Sequence, residues 1–264
     1  MSLNPPDAPP ETTAAPSLEQ LLCREDIWRG GSSQAPARLA VDTGYTQLNE
    51  RLAGRGWPNA SLIEVCQPPT SHGEWQLLLP ALLNSHNNTH TNSQGGLLVL
   101  LNPPVNPFAQ ALLKAGIDLE RLLIVKVKDK ADFLSSFIEL VRCDACDAVM
   151  AWQPQQALGY TELRKCALAS TEGQGIYVLF RPDTVCDQSS PAVLRLRLEW
   201  QAEQLAVRIF KQKGELAANN AVIELPLPSA WKGLLPHAQL DQPGKPKPKV
   251  ASVTPIHGGR RGRR

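Results

Sequence analysis

A short segment after an apolar run, residues 67–74, occupies the place of a phosphate-binding loop. That loop follows the pattern G-x-x-x-x-G-K-[ST], because its glycines let backbone amides approach phosphates, its lysine meets their charge and its hydroxyl holds magnesium. Here Gln67 stands at the first glycine, and His72, Gly73 and Glu74 replace the Gly-Lys-[Ser/Thr] end. A carboxylate at the hydroxyl position repels polyphosphate. The segment therefore predicts the strand, turn and helix of such a site without its chemistry.

Two cysteines, Cys143 and Cys146, have the C-x-x-C spacing of zinc and redox sites. No second C-x-x-C follows in the sequence, and the pair lies at a predicted helix end that leads into a buried strand. The remaining cysteines are spread over predicted strands and helices: Cys23, Cys66, Cys166 and Cys186. This distribution favours reduced, packed thiols over a disulfide framework, with zinc or redox use as the alternative. We predict no metal site, no cofactor and no catalytic residue.

The basic residues are concentrated at the C-terminal end. The chain carries a net charge of +2, yet residues 241–264 carry +6, with seven basic residues against Asp241, so the rest carries about −4. The seven are Lys245, Lys247, Lys249, Arg260, Arg261, Arg263 and Arg264. They predict electrostatic binding of single-stranded DNA or of an acidic protein surface, with a merely solubilising tail as the alternative. No aromatic residue lies among them, so base stacking is not predicted.

Short apolar runs alternate with amphipathic stretches from residue 41 onward. The runs predict strands at 62–66, 97–101, 122–125, 148–152 and 176–180. The amphipathic stretches predict helices at 74–84, 107–115, 130–142 and 157–170. Several runs are apolar on both faces, which is typical of a covered parallel sheet, and the alternation predicts an α/β core. Further on, residues 193–200 and 205–210 predict an antiparallel hairpin, with 222–225 at the sheet edge.

These patterns divide the chain into four parts. Residues 1–16 predict a disordered leader, 17–40 a short helix and linker, 41–235 the folded core, and 236–264 a disordered basic tail. No apolar run approaches the ~18 residues of a membrane span, and the N-terminus lacks the regions of a signal peptide. We therefore expect a cytoplasmic protein that does not bind membranes.

The tryptophans differ in their predicted roles. Trp75 and Trp152 lie on predicted elements and are expected to pack inward. Trp57, in a predicted loop, and Trp231, near the end of the core, are better candidates for contact with a partner. Packing within the chain is the favoured interpretation even for these two.

Several core segments resemble RecA, in the same order and with the same spacing. They are residues 41–49 (VDTGYTQLN), 54–58 (GRGWP), 62–65 (LIEV), 114–123 (KAGIDLERLL) and 146–152 (CDAVMAW). The resemblance covers roughly residues 40–215 and implies a RecA-like core with a mainly parallel central sheet flanked by helices. It also implies where the remaining ATPase groups would stand. Trp152 takes the place of the aspartate that orders magnesium, and Pro104 that of the catalytic glutamate.

A RecA-like core without ATPase groups, together with a Trp-Arg-Gly segment at residues 28–30 and a basic tail, resembles the ImuA family. This resemblance implies a non-catalytic accessory protein of SOS-induced translesion DNA synthesis, acting in the DNA damage response. The implied partners are an ImuB-like Y-family protein, RecA and an error-prone polymerase III alpha homologue, with nucleoid association when they are bound. The alternative is a SulA-like inhibitor of cell division that binds FtsZ. Residual nucleotide binding stays open, and an atypical nucleotidase is the least favoured interpretation.

Overall fold

The computed structural model describes residues 40–69, 73–87, 96–201, 204–213 and 222–226, without the side chains of residues 85–87 and 201. The predicted leader, the helix within 17–40 and the basic tail lie outside the described residues, as do His72 and Trp231. Within the described ranges, no helix is both long and apolar enough to cross a membrane.

Strands and helices alternate along the core, close to the predicted positions. The strands are β1 (Ala40–Val41), β2 (Trp57–Pro58), β3 (Ser61–Gln67), β4 (Leu97–Leu101), β5 (Leu122–Val125), β6 (Cys146–Trp152), β7 (Ile176–Pro182), β8 (Leu194–Gln201), β9 (Gln204–Gln212) and β10 (Val222–Leu225). The helices are α1 (Thr46–Asn49), α2 (Glu74–Asn87), α3 (Ala109–Ala115), α4 (Lys130–Arg142) and α5 (Tyr160–Ser170). Short 3-10 turns cover Leu119–Arg121 and Asp183–Val185.

Eight strands form one mostly parallel sheet in the order β10-β9-β8-β3-β7-β6-β4-β5. All pairs from β8 across to β5 are parallel, whereas β9 runs antiparallel to both β8 and β10. The predicted α/β class, the parallel centre and the antiparallel edge hairpin are therefore confirmed. β1 and β2 form a separate antiparallel pair.

Helices cover both faces of the sheet. On one face, side chains of α2 and α3 share one core cluster with alternate side chains of β3, among them Ile63 and Val65. On the opposite face, α4 and α5 pack on the side that carries Leu62. Phe133 and Phe137 are fully buried along one side of α4, as an amphipathic helix requires. All seven residues of β3 are buried, which explains why its sequence lacks polar alternation.

Residues 42–49 hold the start of the core against α2. The Thr43 hydroxyl donates to Asn49 Oδ1 at 2.8 Å, and the Tyr45 hydroxyl donates to the Gln76 carbonyl of α2 at 2.5 Å. Gly44 has a positive φ of 80°, and a Cβ placed on it would lie 2.3 Å from Cβ of Pro80. Glycine is therefore required at this close approach, because it alone adopts that φ without strain and leaves room for the proline.

Some details differ from the sequence-based expectations. α3 begins at Ala109 rather than 107, because Phe108 is extended after Pro107. α5 begins at Tyr160 rather than 157, where the Glu162 carboxylate accepts a hydrogen bond from the Gly159 amide at 2.6 Å. Trp57 is fully buried and lies in β2 rather than in the predicted loop, so the favoured packing interpretation is confirmed for this residue.

Candidate functional site

The carboxyl ends of the parallel strands meet along one side of the sheet, which we call the carboxyl edge. β3 ends at Gln67 and β6 at Trp152, with β7 between them, and β4 lies beyond β6. Pro104 follows the end of β4 and is exposed. Ligands of open α/β sheets bind outside this edge. The structure thus places Gln67, Glu74, Trp152 and Pro104 along the edge where chemistry is expected.

Two buried side chains, Gln67 and Glu74, lie on either side of the turn between β3 and α2. Gln67 is 7 % exposed and Glu74, in the first turn of α2, is 4 % exposed. Gln67 Nε2 lies 3.5 Å from Glu74 Oε2. The positive end of the α2 dipole favours an anion, and the Glu74 carboxylate already supplies one there. A phosphate at the same helix end would meet that negative charge.

Gly73 has a packing role at this turn. A Cβ on Gly73 would lie 2.5 Å from Cδ1 of Leu205, a buried residue of β9. The absent side chain therefore lets the start of α2 approach the antiparallel hairpin. Nothing in this contact requires a phosphate, so Gly73 is explained by packing alone.

Trp152 makes an aromatic contact at the position where an intact site would have a polar, metal-binding side chain. Its ring stacks on Phe180 of β7, with centroids 4.9 Å apart and an interplanar angle of 20°. Both side chains belong to the core on the α2 face. Magnesium requires oxygen ligands, which an indole and a phenyl ring do not offer. Across the described ranges, no group of three or more His, Cys, Asp or Glu residues is arranged to hold a metal.

A buried ionic cluster lies on the opposite face of β3, and sequence reasoning missed it. We call it the Glu64 cluster, and its members are Glu64, Arg181, Ser190 and Arg195. Glu64 accepts hydrogen bonds from Arg195 Nε and Nη2 at 2.9 and 2.6 Å, and from the Ser190 hydroxyl at 2.6 Å. Arg181 Nη1 lies 3.3 Å from the second carboxylate oxygen. Every member is at most 5 % exposed.

The Glu64 cluster fixes two loops at the carboxyl edge. Arg195 donates to the carbonyls of Gln188 and Val185, in the loop between β7 and β8, at 2.9 and 3.2 Å. Arg181 Nε donates to Gln153 Oε1, just after β6, at 2.7 Å. Two guanidinium groups surround the carboxylate, so Glu64 is held as an ion-pair partner and is not placed to act as a general base. The cluster therefore positions these loops.

The signals for this cluster were present in the sequence. Glu64 and Arg181 each interrupt a mainly apolar strand, and Arg195 lies in β8, where leucines alternate with charged residues. A charge in a strand buried on both faces must find an opposite charge. Which charges pair depends on strand order, because β3 lies between β7 and β8 although both come more than a hundred residues later.

The far edge of the sheet carries exposed apolar side chains. Five of the nine large hydrophobic residues that are exposed in the described part of the chain lie between residues 105 and 124. We call them the β5 edge patch: Val105, Phe108, Leu113, Leu123 and Ile124. β5 has β4 on one side as its sheet neighbour and ends the sheet on the other. Exposed Lys126 follows it and donates to Asn106 Oδ1 at 2.8 Å, which ties the loop after β4 to this edge.

No protein-family model matches the chain, and no curated protein matches its sequence. The class of molecule therefore follows from the coordinates: an α/β protein with a mostly parallel sheet, helices on both faces and an antiparallel edge hairpin. The seven basic residues of the predicted tail site lie outside the described residues.

Proposed function

We propose that this chain is a RecA-like protein of the ImuA type, a non-catalytic scaffold of SOS-induced translesion DNA synthesis. Its partners in this proposal are an ImuB-like Y-family protein and RecA, and an error-prone polymerase III alpha homologue is a further candidate. The observation that carries the proposal is the carboxyl edge, where a buried Glu74 and the Trp152–Phe180 stack lie at positions to which the RecA resemblance assigns ATPase groups.

Phosphoryl transfer depends on positioning and on the electrostatics of lysine and metal. Glu74 and Trp152 provide neither, and Pro104 cannot accept the proton that a general base removes. A general base alone contributes about 10²–10⁴-fold. These replacements support a protein that works by binding.

The β5 edge patch is the surface that we assign to the ImuB-like partner. An edge strand with exposed apolar residues accepts an added strand through its free backbone groups. The exposed Lys126 and Lys128 follow β5. The partner segment that fits this edge is therefore extended and apolar, with acidic residues beside it. Antiparallel pairing of two β5 strands about Leu123 and Ile124 would set Arg121 against Lys126 of the second copy, which disfavours self-association.

A co-purification experiment tests both the partner and the surface. The full chain and a 1–240 truncation are each offered ImuB, RecA and FtsZ, with and without single-stranded DNA. We expect capture of ImuB or RecA, and loss of any DNA dependence when the tail is removed. Capture of FtsZ alone would move the function to a SulA-like division inhibitor, and ATP hydrolysis that is lost on changing Glu74 would overturn the non-catalytic proposal.

A matched pair of variants tests whether the β5 edge patch is the surface that binds the ImuB-like partner. Leu123 in β5 and Leu168 in α5 are 42 % and 57 % exposed. We expect Leu123→Glu to abolish capture of ImuB and Leu168→Glu to leave it unchanged. Equal capture by both variants would remove the β5 edge patch from the proposal, while absence of capture by the unaltered chain would remove the partner itself.

A further inference from the structure

The exposed Cys143 and the buried Cys146 lie at the two ends of one tight turn. Cys143 directly follows the last residue of α4, and Cys146 is the first residue of β6. The Cys146 amide donates to the Cys143 carbonyl at 3.0 Å, so residues 143–146 form a hydrogen-bonded β-turn. The packed-thiol interpretation holds for Cys146, which is 5 % exposed, and is wrong for Cys143.

The turn gives the two sulfurs the spacing that a disulfide needs. In a β-turn the first and fourth Cα atoms are less than about 7 Å apart, and disulfides join Cα atoms about 4.4–6.8 Å apart. The Cys143 thiol already interacts with the Cys146 thiol, and burial together with this neighbour raises the pKa of Cys146 to about 12.

The backbone around the turn is fixed on both sides. The Leu97 amide donates to the Ala145 carbonyl at 2.6 Å, and the Gly96 amide donates to Asp147 Oδ2 at 2.6 Å. On the α4 side, the Tyr177 hydroxyl donates to the Val141 carbonyl at 2.9 Å. With the backbone held on both sides, we expect a disulfide between these cysteines to close by rotation of the two side chains.

We propose that Cys143 and Cys146 form a reversible dithiol–disulfide site whose substrate is a low-molecular-weight disulfide. The solvent-accessible Cys143 thiolate attacks one sulfur of the reagent, whose S–S bond breaks and releases one thiolate. Cys146 then gives up its proton and attacks the Cys143 sulfur, which releases the second half of the reagent. The two cysteines lose two electrons and two protons, and the small disulfide is reduced to two thiols.

The order of attack follows from exposure. Only Cys143 can be reached from solvent, and Cys146 stands behind it to resolve the mixed disulfide. The raised pKa of Cys146 makes the second step the slower one, because attack requires the thiolate. The site lies at the amino end of β6, at the opposite end of that strand from Trp152, so it is independent of the proposed scaffold function.

Oxidised glutathione, the full chain and the matched variants Cys143→Ser and Cys146→Ser provide the test. Peptide mass spectrometry without reduction is expected to find the 143–146 disulfide in the unaltered chain, and dithiothreitol is expected to reverse it. Cys146→Ser should stop at a glutathione adduct on Cys143, and Cys143→Ser should carry no adduct on Cys146. Circular dichroism confirms that both variants are folded. A permanent adduct on Cys143 of the unaltered chain, or pairing of Cys143 with a different cysteine, would overturn the proposal.

Discussion

Arg195 donates two hydrogen bonds to one oxygen of Glu64, Oε1, in the centre of the sheet, with the Glu64 side chain 0 % and the Arg195 side chain 5 % exposed. Arg181 approaches the same carboxylate from β7, so one negative charge serves two buried positive charges. Removing one partner from such a pair leaves an uncompensated charge without water around it. The stability of the carboxyl edge therefore depends on a residue that no ligand touches.

Glu64→Gln is expected to lower the free energy of unfolding by about 3–5 kcal/mol, because both guanidinium groups lose their counter-charge. The control is Glu199→Gln, since Glu199 pairs with Arg197 at 2.9 Å but both side chains are about 40 % exposed. Exposed pairs contribute about 0–1 kcal/mol. Urea denaturation of the two variants measures the difference, and equal effects would show that burial does not govern this pair.

Gly44→Ala is expected to destabilise the chain by more than Gly116→Ala. Both glycines have a positive φ, of 80° and 99°, which costs an alanine about 1–2 kcal/mol. At Gly44 the added Cβ would also lie 2.3 Å from Cβ of Pro80, whereas at Gly116 the nearest atom is a leucine methyl at 3.3 Å. Overpacking adds about 1–3 kcal/mol. Thermal unfolding of both variants separates the cost of backbone strain, which both share, from the cost of the Cβ contact with Pro80. A larger loss of stability for Gly116→Ala would contradict the close approach of residues 42–49 to α2.

Trp152→Ala is expected to cost about 3–5 kcal/mol, the range for truncating a large buried aromatic side chain. Trp152 is 8 % exposed and loses its stack on Phe180. Trp200→Ala serves as the control, because Trp200 is 43 % exposed near the end of β8, and surface substitutions usually change the free energy of unfolding by about 0.5 kcal/mol or less. Urea denaturation compares them. A small effect at Trp152 would mean that the space at the carboxyl edge is open rather than filled.

Alkaline pH is expected to weaken the fold through Cys166. Burial raises the pKa of this thiol from 9.0 to about 12, so the folded state keeps a proton that the unfolded state loses. The stabilisation that this pKa difference provides is fully present below about pH 9. The free energy of unfolding then falls by about 1.4 kcal/mol per pH unit as the pH rises towards 12. In urea denaturation measured from about pH 8 to about pH 10, Cys166→Ala should remove this contribution to the pH dependence of the free energy of unfolding. Ser170→Ala, on the same helix, should keep the slope of the unaltered chain; if the two variants show the same slope, Cys166 is not its source.

The order of elements could be predicted from the sequence because it depends on local patterns. The apolar runs at 97–101 and 122–125 coincide with β4 and β5, and the amphipathic stretch at 130–142 with α4. The Glu64 cluster could not be predicted, because its pairing is set by which strands become neighbours. For the same reason the strand β2 could not be predicted: a tryptophan beside a proline predicts a loop, whereas Trp57 pairs with Val41 of β1.

The position of β3 has a consequence for how the chain is made. Ser61 pairs with Ile176, and Ile63 pairs with Leu194. At about 5–20 residues per second, the ribosome needs about 6–23 s to add the 115 residues that separate Ser61 from Ile176. During that interval an apolar strand is outside or near the exit tunnel with neither of its neighbours made. The central sheet can therefore form only late in synthesis, and residues 61–67 stay without both strand neighbours until β7 and β8 have been made.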